Sequence, residues 1–379
     1  MYRGKGWGRG GGGEESGLLK VNNSTIRETL REYMNKPNSI LPIHRWDVSM
    51  VTDMHALFID YPDFNEPIQS WDVSNVKTME SMFEGTSFNQ PIDTWDVSKV
   101  TNMETMFKDA GKFNQPLNKW GAKTLKVTNM AGMFDGALNF NQPIGEWNTS
   151  NVHDFRYMFA EATSFNQPIS LWNMQNAIYM EGMFYKATSF DQPIGPWNTS
   201  NVVYMNNMFE YASSFDQSLE SFGTNWNVEK VKDMTGMFKN ATSFSQNLSS
   251  WELKQNDLQT KDMFFYTPSL VDRSFLYDWE DRYPNFDAVR ASGIHKSSKQ
   301  LFDMIDAKNI LTVKNSIITS STEGFDPIEQ EYKNVQEYIQ EDSNNIVFYY
   351  NGTCTLTTRD RLSNSISGYS NPAAIKFGC

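Results

Sequence analysis

The chain has 379 residues and a formal net charge of -12, from 33 basic and 45 acidic residues. Nucleic-acid binding depends on neutralising phosphates, so this charge argues against the body of the protein being a general nucleic-acid binder. The sequence has no run of 18 apolar residues and its start lacks the apolar stretch of a secretory signal. We therefore predict no membrane span and no export by the usual route.

Residues 1–20 are predicted to form a Gly-rich, basic N-terminal arm. Such a segment cannot bury a core, so we expect it to be disordered when alone. In one interpretation the arm inserts into a protein partner, and contact with nucleic acid is the less favoured form of this interpretation. The other is a solvated tail. The candidate contact residues of the arm are Arg3, Lys5, Trp7 and Arg9.

Residues 21–42 contain a predicted N-terminal capping helix. The helix is assigned to the stretch from Thr25 to Met34. Thr25 and Glu28 have the three-residue spacing of a capping box, in which each side chain would satisfy a free amide of the first turn.

A motif of about 25 residues recurs nine times within residues 43–267. Each copy has a Trp-Asp/Asn start, then a Met-x-x-Met-Phe stretch and finally Phe-Asn-Gln-Pro-Ile, with variations between copies. A fixed period in this range indicates a solenoid, in which each unit stacks on its neighbours. The repeat tryptophans are Trp46, Trp71, Trp95, Trp120, Trp147, Trp172, Trp197, Trp226 and Trp251.

Each repeat is predicted to form one coil with a short helix and a short strand. Val76, Met79, Met82 and Phe83 are separated by three, three and one residues, as on one face of a helix. Residues 88–92 alternate apolar and polar side chains and include a proline, which favours a short strand or extended coil.

The combination of Phe-Asn-Gln-Pro-Ile, Trp-Asp-Val-Ser-Asn-Val and Met-x-x-Met-Phe resembles the BspA-like leucine-rich-repeat surface protein family. The resemblance is to its mycoplasma-lipoprotein-type repeats, which are also common in large DNA viruses. It implies a leucine-rich-repeat-like solenoid with a role in adhesion, surface display or protein binding. The chain lacks a signal peptide and a lipid-attachment cysteine, which favours the viral branch and a virion or intracellular location.

Residues 268–379 carry no repeat and are predicted to form a small α+β domain. We expect helices at 298–306 and 327–339 and a strand at 310–318. Asn351-Gly352 between two alternating segments predicts a hairpin of 346–350 with 353–358.

Polar residues that recur at fixed repeat positions are interpreted as structural, and we predict no metal, cofactor or catalytic residue. The four histidines lack ligand spacing. The Asp that follows the repeat Trp changes to Asn in later copies, which favours a turn-capping role over calcium binding. A side-chain ladder that satisfies coil backbones is predicted for Asn89, Asn114, Asn141, Asn166, Asp191 and Asp216.

Positions that vary between copies are the better candidates for binding. Tyrosines outside the repeat core cluster in repeats five to seven and can form an interface patch, the alternative being ordinary exposed surface. They are Tyr157, Tyr179, Tyr185, Tyr204 and Tyr211.

The leading hypothesis is a non-enzymatic scaffold that binds other proteins of a large assembly, such as a virus particle, as a minor capsid or capsid-associated protein. The alternative is a surface adhesion or recognition module. A third class is an enzyme with its site in residues 268–379, where no motif supports one.

Overall fold

A computed structural model describes residues 17–220 and 226–270, positions 275, 276, 279 and 282, and two strands near the C-terminus. The regular elements are β1 (Leu19–Asn22), α1 (Ile26–Asn35), β2 (Trp46–Met50), β3 (Asn345–Tyr350) and β4 (Thr353–Thr358). Short 3-10 helices lie at Ile43–Arg45 and Asn118–Lys126. The arm candidates Arg3, Lys5, Trp7 and Arg9 lie outside the described residues.

The predicted N-terminal helix is present as α1, but the capping box is wrong. The Thr25 side chain makes no capping bond to the helix, and its Oγ1 accepts from the backbone amide of Asn22 at 3.0 Å. Glu28 instead pairs with Arg31, one turn further along α1. The reason is the backbone of Thr25, whose φ of -110° and ψ of -27° are not those of the extended conformation typical of an N-cap.

The N-terminal segment continues the stack of repeats. β1 runs parallel to β2, with Leu19 opposite Trp46. Helix α1 buries Ile26, Leu30 and Tyr33 in the same core as the repeats. These contacts cover the first repeat.

The short helix predicted in each repeat is wrong, because the residues form successive turns. In repeat two, the amides of Met82, Glu84 and Thr86 donate to carbonyls three residues back. The alternate amides, from Met79 to Gly85, donate to carbonyls of repeat three instead. An α-helix needs every amide for its own bonds and a negative φ throughout, whereas Ser81 has a φ of 52°.

Consecutive repeats are joined in register by one parallel β-bridge each. The bridges continue through all nine repeats, so the chain is a repeat protein whose units stack on their sequence neighbours. The bridged residues are Asp53, Thr78, Asn102, Asn129, Asp154, Tyr179, Tyr204, Asp233 and Gln259.

Of the two alternatives predicted for residues 88–92 and their equivalents, the short strand is absent, since these segments are irregular and their repeats pair elsewhere. The predicted side-chain ladder supplies their hydrogen bonds. Asn114 N donates to Asn89 Oδ1 at 3.0 Å, and the same bond recurs between neighbouring repeats up to Asp216 and Asp191. The ladder is confirmed, and it replaces backbone pairing in a segment where each proline lacks an amide.

The core consists of columns of stacked aromatic rings. Phe83 and its equivalents in the other eight repeats stack with ring centroids 5.4–5.7 Å apart. A second column contains Phe88 and its equivalents in the first eight repeats, with ring centroids 3.8–4.1 Å from those of the first column within the same repeat. These rings are almost completely buried, and such aromatic contacts account for much of the apolar burial.

The repeat tryptophans and the residues that follow them have the structural roles predicted for them. From Trp71 to Trp226, each indole Nε1 donates to the carbonyl of the residue three positions before the preceding repeat tryptophan, at 2.8–3.4 Å. The predicted turn-capping role is confirmed, because the Asp72 carboxylate accepts from the Ser74 amide at 3.0 Å and Asn148 and Asn198 make the same contact.

The predicted C-terminal hairpin is confirmed. β3 and β4 pair antiparallel, from Asn345 opposite Thr358 to Tyr350 opposite Thr353, as the alternating segments predicted. The other elements predicted between residues 298 and 339 lie outside the described residues.

Candidate protein-binding face

The five candidate tyrosines lie on the outward side of the turn segments of repeats five to seven. Equivalent positions of stacked repeats form columns, because each repeat is bridged in register to the next. We call the outward side chains of residues 154–161, 179–186 and 204–211 the tyrosine face. It combines aromatic and charged groups on a backbone fixed by hydrogen bonds to the neighbouring repeats.

Tyr179 and Tyr204 form a stack at consecutive bridge positions. Their ring centroids are 5.7 Å apart and their planes differ by 6°. The Arg156 guanidinium lies 5.2 Å from the Tyr179 centroid, and its Nε donates to Asp154 Oδ1 at 2.9 Å. Hydrogen bonding to Asp154 raises the pKa of Arg156, so the cation is held firmly against the ring.

Tyr185 and Tyr211 form a second aromatic pair. Their rings meet edge to face with centroids 6.3 Å apart, and 39% of Tyr211 is exposed. Lys186 Nζ lies 5.0 Å from the Tyr185 centroid and 2.8 Å from Glu161 Oε1. The ion pair with Glu161 raises the pKa of Lys186.

Tyr157 lies between these two pairs and rests on a glycine. A Cβ at Gly182 would be 2.3 Å from the Tyr157 ring, and Gly182 also has a φ of +57°. Burial raises the pKa of Tyr157, and the nearby carboxylates of Glu181 and Glu210 add to this effect. The ring remains 43% exposed, which makes it the most exposed of the five tyrosines together with Tyr211.

Sequence reasoning missed Glu181, which lies in the middle of the tyrosine face. Its Oε2 is buried and has no hydrogen-bond partner. Burial raises the pKa of Glu181 to about 7, although a hydrogen bond from its own backbone amide and the charge of Arg156 partly offset this effect. An unpaired buried carboxylate oxygen is costly, so it requires a physical explanation.

Comparison between repeats explains the missing partner. In repeat two the equivalent residue is Glu80, whose Oε2 accepts from Asn102 Nδ2 of the next repeat at 2.8 Å. At the position of Asn102, repeat seven has Tyr204, which has no side-chain amide. The change from Asn to Tyr in the sequence is the signal that could have identified Glu181.

A second feature that sequence reasoning missed is a groove that runs from repeat four, along the tyrosine face, to repeats eight and nine. It has a volume of about 510 Å³. Its wall includes Tyr211 and Lys186, the half-exposed Leu138, and Asn240, whose Nδ2 is buried without a partner. Its groups are spread over several repeats, so no single motif marks it.

The described residues contain no group of three or more His, Cys, Asp or Glu side chains arranged to hold a metal ion. In the same part of the chain, no helix is long and apolar enough to cross a membrane. The arrangement of the tyrosine face suits non-covalent recognition by aromatic and charged contacts.

Comparison with known proteins gives one family. No curated protein and no solved structure shows significant similarity to the chain. A family model matches three stretches, residues 28–127, 121–222 and 179–279, which together span α1 and the nine repeats. Since these matches cover more than half of the sequence, the chain belongs to the repeat family described as "Mycoplasma protein of unknown function, DUF285".

Proposed function

We propose that this protein is a non-enzymatic scaffold that binds other proteins through its tyrosine face. The observation that carries the proposal is the set of five partly exposed tyrosines, four of which are held in place by aromatic pairing and by cation–π contacts. Tyrosine offers a large contact area with few rotatable bonds, so little conformational entropy is lost on binding. Tyrosine and arginine are also enriched among residues that dominate binding energies.

The rigid stack behind the face supports the same function. The repeats form a leucine-rich-repeat-like solenoid in this proposal, with turns in place of the helix of each unit. Solenoids present extended surfaces along their length, and the groove next to Tyr211 continues such a surface over several repeats. In this proposal the partner is a component of a virus particle. The support for this assembly is the resemblance of the repeats to those of large DNA viruses.

The test is a pull-down from the native source with the tagged full-length chain and two variants. Tyr185→Ser combined with Tyr211→Ser removes one aromatic pair from the face. Leu171→Ser is the matched control, because Leu171 is a large apolar side chain with 76% exposure outside the face. The wild type and the control should retain a stoichiometric protein partner. The double variant should lose this partner or bind it at least tenfold more weakly.

Thermal unfolding of each variant shows whether the fold is intact, since the double variant should keep its stacked core. Equal retention of every partner by the double variant and the wild type would refute a role for the tyrosine face.

A further inference from the structure

Among the acidic side chains of the tyrosine face, one has a carboxylate oxygen without a hydrogen-bond partner. Three of its four acidic side chains are neutralised by a neighbouring base. These pairs are Arg156–Asp154, Lys186–Glu161 and Lys239–Glu210, with the last two at 2.8 and 3.1 Å. Glu181 is the fourth, and its Oε2 has neither a base nor a hydrogen-bond donor.

The nearest base, Arg156, is directed at another carboxylate and makes no hydrogen bond to Glu181 Oε2. Arg156 uses Nε and a terminal nitrogen on Asp154 and lies against the Tyr179 ring. The next repeat offers Tyr204 where repeats three and four offer an asparagine amide. The protein therefore keeps an acceptor on this face that its own described residues do not satisfy.

We propose that Glu181 is the docking point for an arginine side chain of a protein partner, with the Tyr157 ring as the neighbouring aromatic surface. The inference rests on the proposed scaffold function and specifies the chemistry of the partner. A guanidinium matches a carboxylate through two parallel hydrogen bonds and also packs on aromatic faces. The chain shows this combination within the same face, where Asp154 and Tyr179 together hold Arg156.

Access to the carboxylate requires only a side-chain rotation. Glu181 as a whole is partly exposed, although Oε2 is shielded. A change of the χ1 or χ2 rotamer of Glu181 moves both carboxylate oxygens outward while the backbone stays fixed. Tyr157, which interacts electrostatically with Glu181 and is 43% exposed, lies at the edge of this approach.

The proposed contact gives binding a characteristic pH dependence. The charged groups that act on Glu181 are Arg156, Asp154 and Asp233, and Tyr157 lies beside it. Only the ionised carboxylate attracts a guanidinium, and burial holds the pKa of the free side chain at about 7. Affinity should therefore rise as the pH increases through 7 and fall by up to about tenfold for each pH unit below it.

The test uses the full-length protein labelled with ¹³C at the glutamate carboxyl carbons and followed by NMR. The probe is acetyl-Gly-Gly-Arg-Gly-Gly-amide, and the matched control peptide has citrulline, the neutral analogue of arginine. The arginine peptide should shift the Glu181 signal saturably and lower its titration midpoint below 7. The citrulline peptide should bind at least tenfold more weakly.

Three variants locate the effect. Glu181→Gln should weaken arginine-peptide binding at least tenfold, whereas Glu80→Gln, the equivalent residue with an internal partner, should leave it unchanged. Tyr204→Asn places an amide at the position from which Asn102 donates to Glu80 in repeat two. This variant should lower the titration midpoint of Glu181 and weaken binding of the arginine peptide.

The inference is overturned if the arginine peptide binds the wild type and Glu181→Gln equally, or if it leaves the Glu181 signal unmoved. The pull-down separates this outcome from failure of the scaffold function. A partner lost with the tyrosine double variant but fully retained by Glu181→Gln would support the scaffold and reject Glu181 as its docking point.

Discussion

Removing one acceptor from the asparagine ladder tests how the irregular half of each repeat is held together. Asn141 Oδ1 accepts from the Asn166 amide at 2.9 Å and from Gln167 Nε2 at 3.0 Å. Asn141→Ala leaves both donors without this partner. An unsatisfied, partly buried amide costs about 1–3 kcal/mol and a lost side-chain bond about 0.5–1.5 kcal/mol. We expect the free energy of unfolding to fall by about 2–3 kcal/mol.

The control is Asn141→Asp, which keeps the Oδ1 acceptor and nearly the same shape. The chain already uses aspartate in this role, since Asp191 Oδ1 accepts from the Asp216 amide at 3.0 Å. Asn141→Asp should therefore stay within about 1 kcal/mol of the wild type.

Urea denaturation gives the two differences in free energy, and hydrogen exchange at the Asn166 amide reports the ladder directly. Loss of 2–3 kcal/mol corresponds to roughly 30- to 150-fold faster exchange. Equal stability of the Ala and Asp variants would show that the Oδ1 contact is not what holds this segment.

Three further perturbations probe the tyrosine face and the core. Burial raises the pKa of Glu181 from 4.5 to about 7, so its contribution to stability is present below pH 4.5 and is lost as the pH rises through 7. Relative to the wild type, the free energy of unfolding of Glu181→Gln should therefore rise by about 1–2 kcal/mol as the pH increases from 5 to 8, after allowance for partial solvent exposure. Equal urea midpoints of the two proteins at both pH values would contradict this. Gly182→Ala should cost about 1–3 kcal/mol, because alanine disfavours a φ of +57° and its Cβ meets the Tyr157 ring; an unchanged melting temperature would exclude this strain. Trp172→Phe keeps a ring but leaves the Ile144 carbonyl without its indole donor at 3.0 Å. The free energy of unfolding in urea should therefore fall by about 1–3 kcal/mol, and a fall below about 0.5 kcal/mol would indicate that the bond contributes little.

The sequence was sufficient for features that recur in every copy. Nine copies on one chain make structural positions visible, so the repeat register, the buried aromatic residues and the asparagine ladder could all be predicted. The turn-capping role of Asp72 followed in the same way from its replacement by Asn in later repeats. These features depend on side-chain chemistry at a fixed position, which a sequence records directly.

The secondary structure of the repeat could not be predicted in the same way. Apolar residues three positions apart are common to a helix and to successive turns, so the pattern of Met79, Met82 and Phe83 does not separate them. A weaker signal was present, since Gly132, Gly182 and Gly236 precede Met-Phe at the position where φ is positive. It was overlooked because Ser81 and other non-glycine residues occupy that position in other copies.

The sequence by itself thus determined that the chain is a repeat protein and which side chains form its core. Only the tertiary structure decided the path of the backbone within each repeat, because half of the turn amides have their partners about 25 residues away in the next repeat. The same dependence on the neighbouring repeat governs the binding face. Whether Glu181 is satisfied depends on Tyr204, a residue that becomes its neighbour only when the repeats stack.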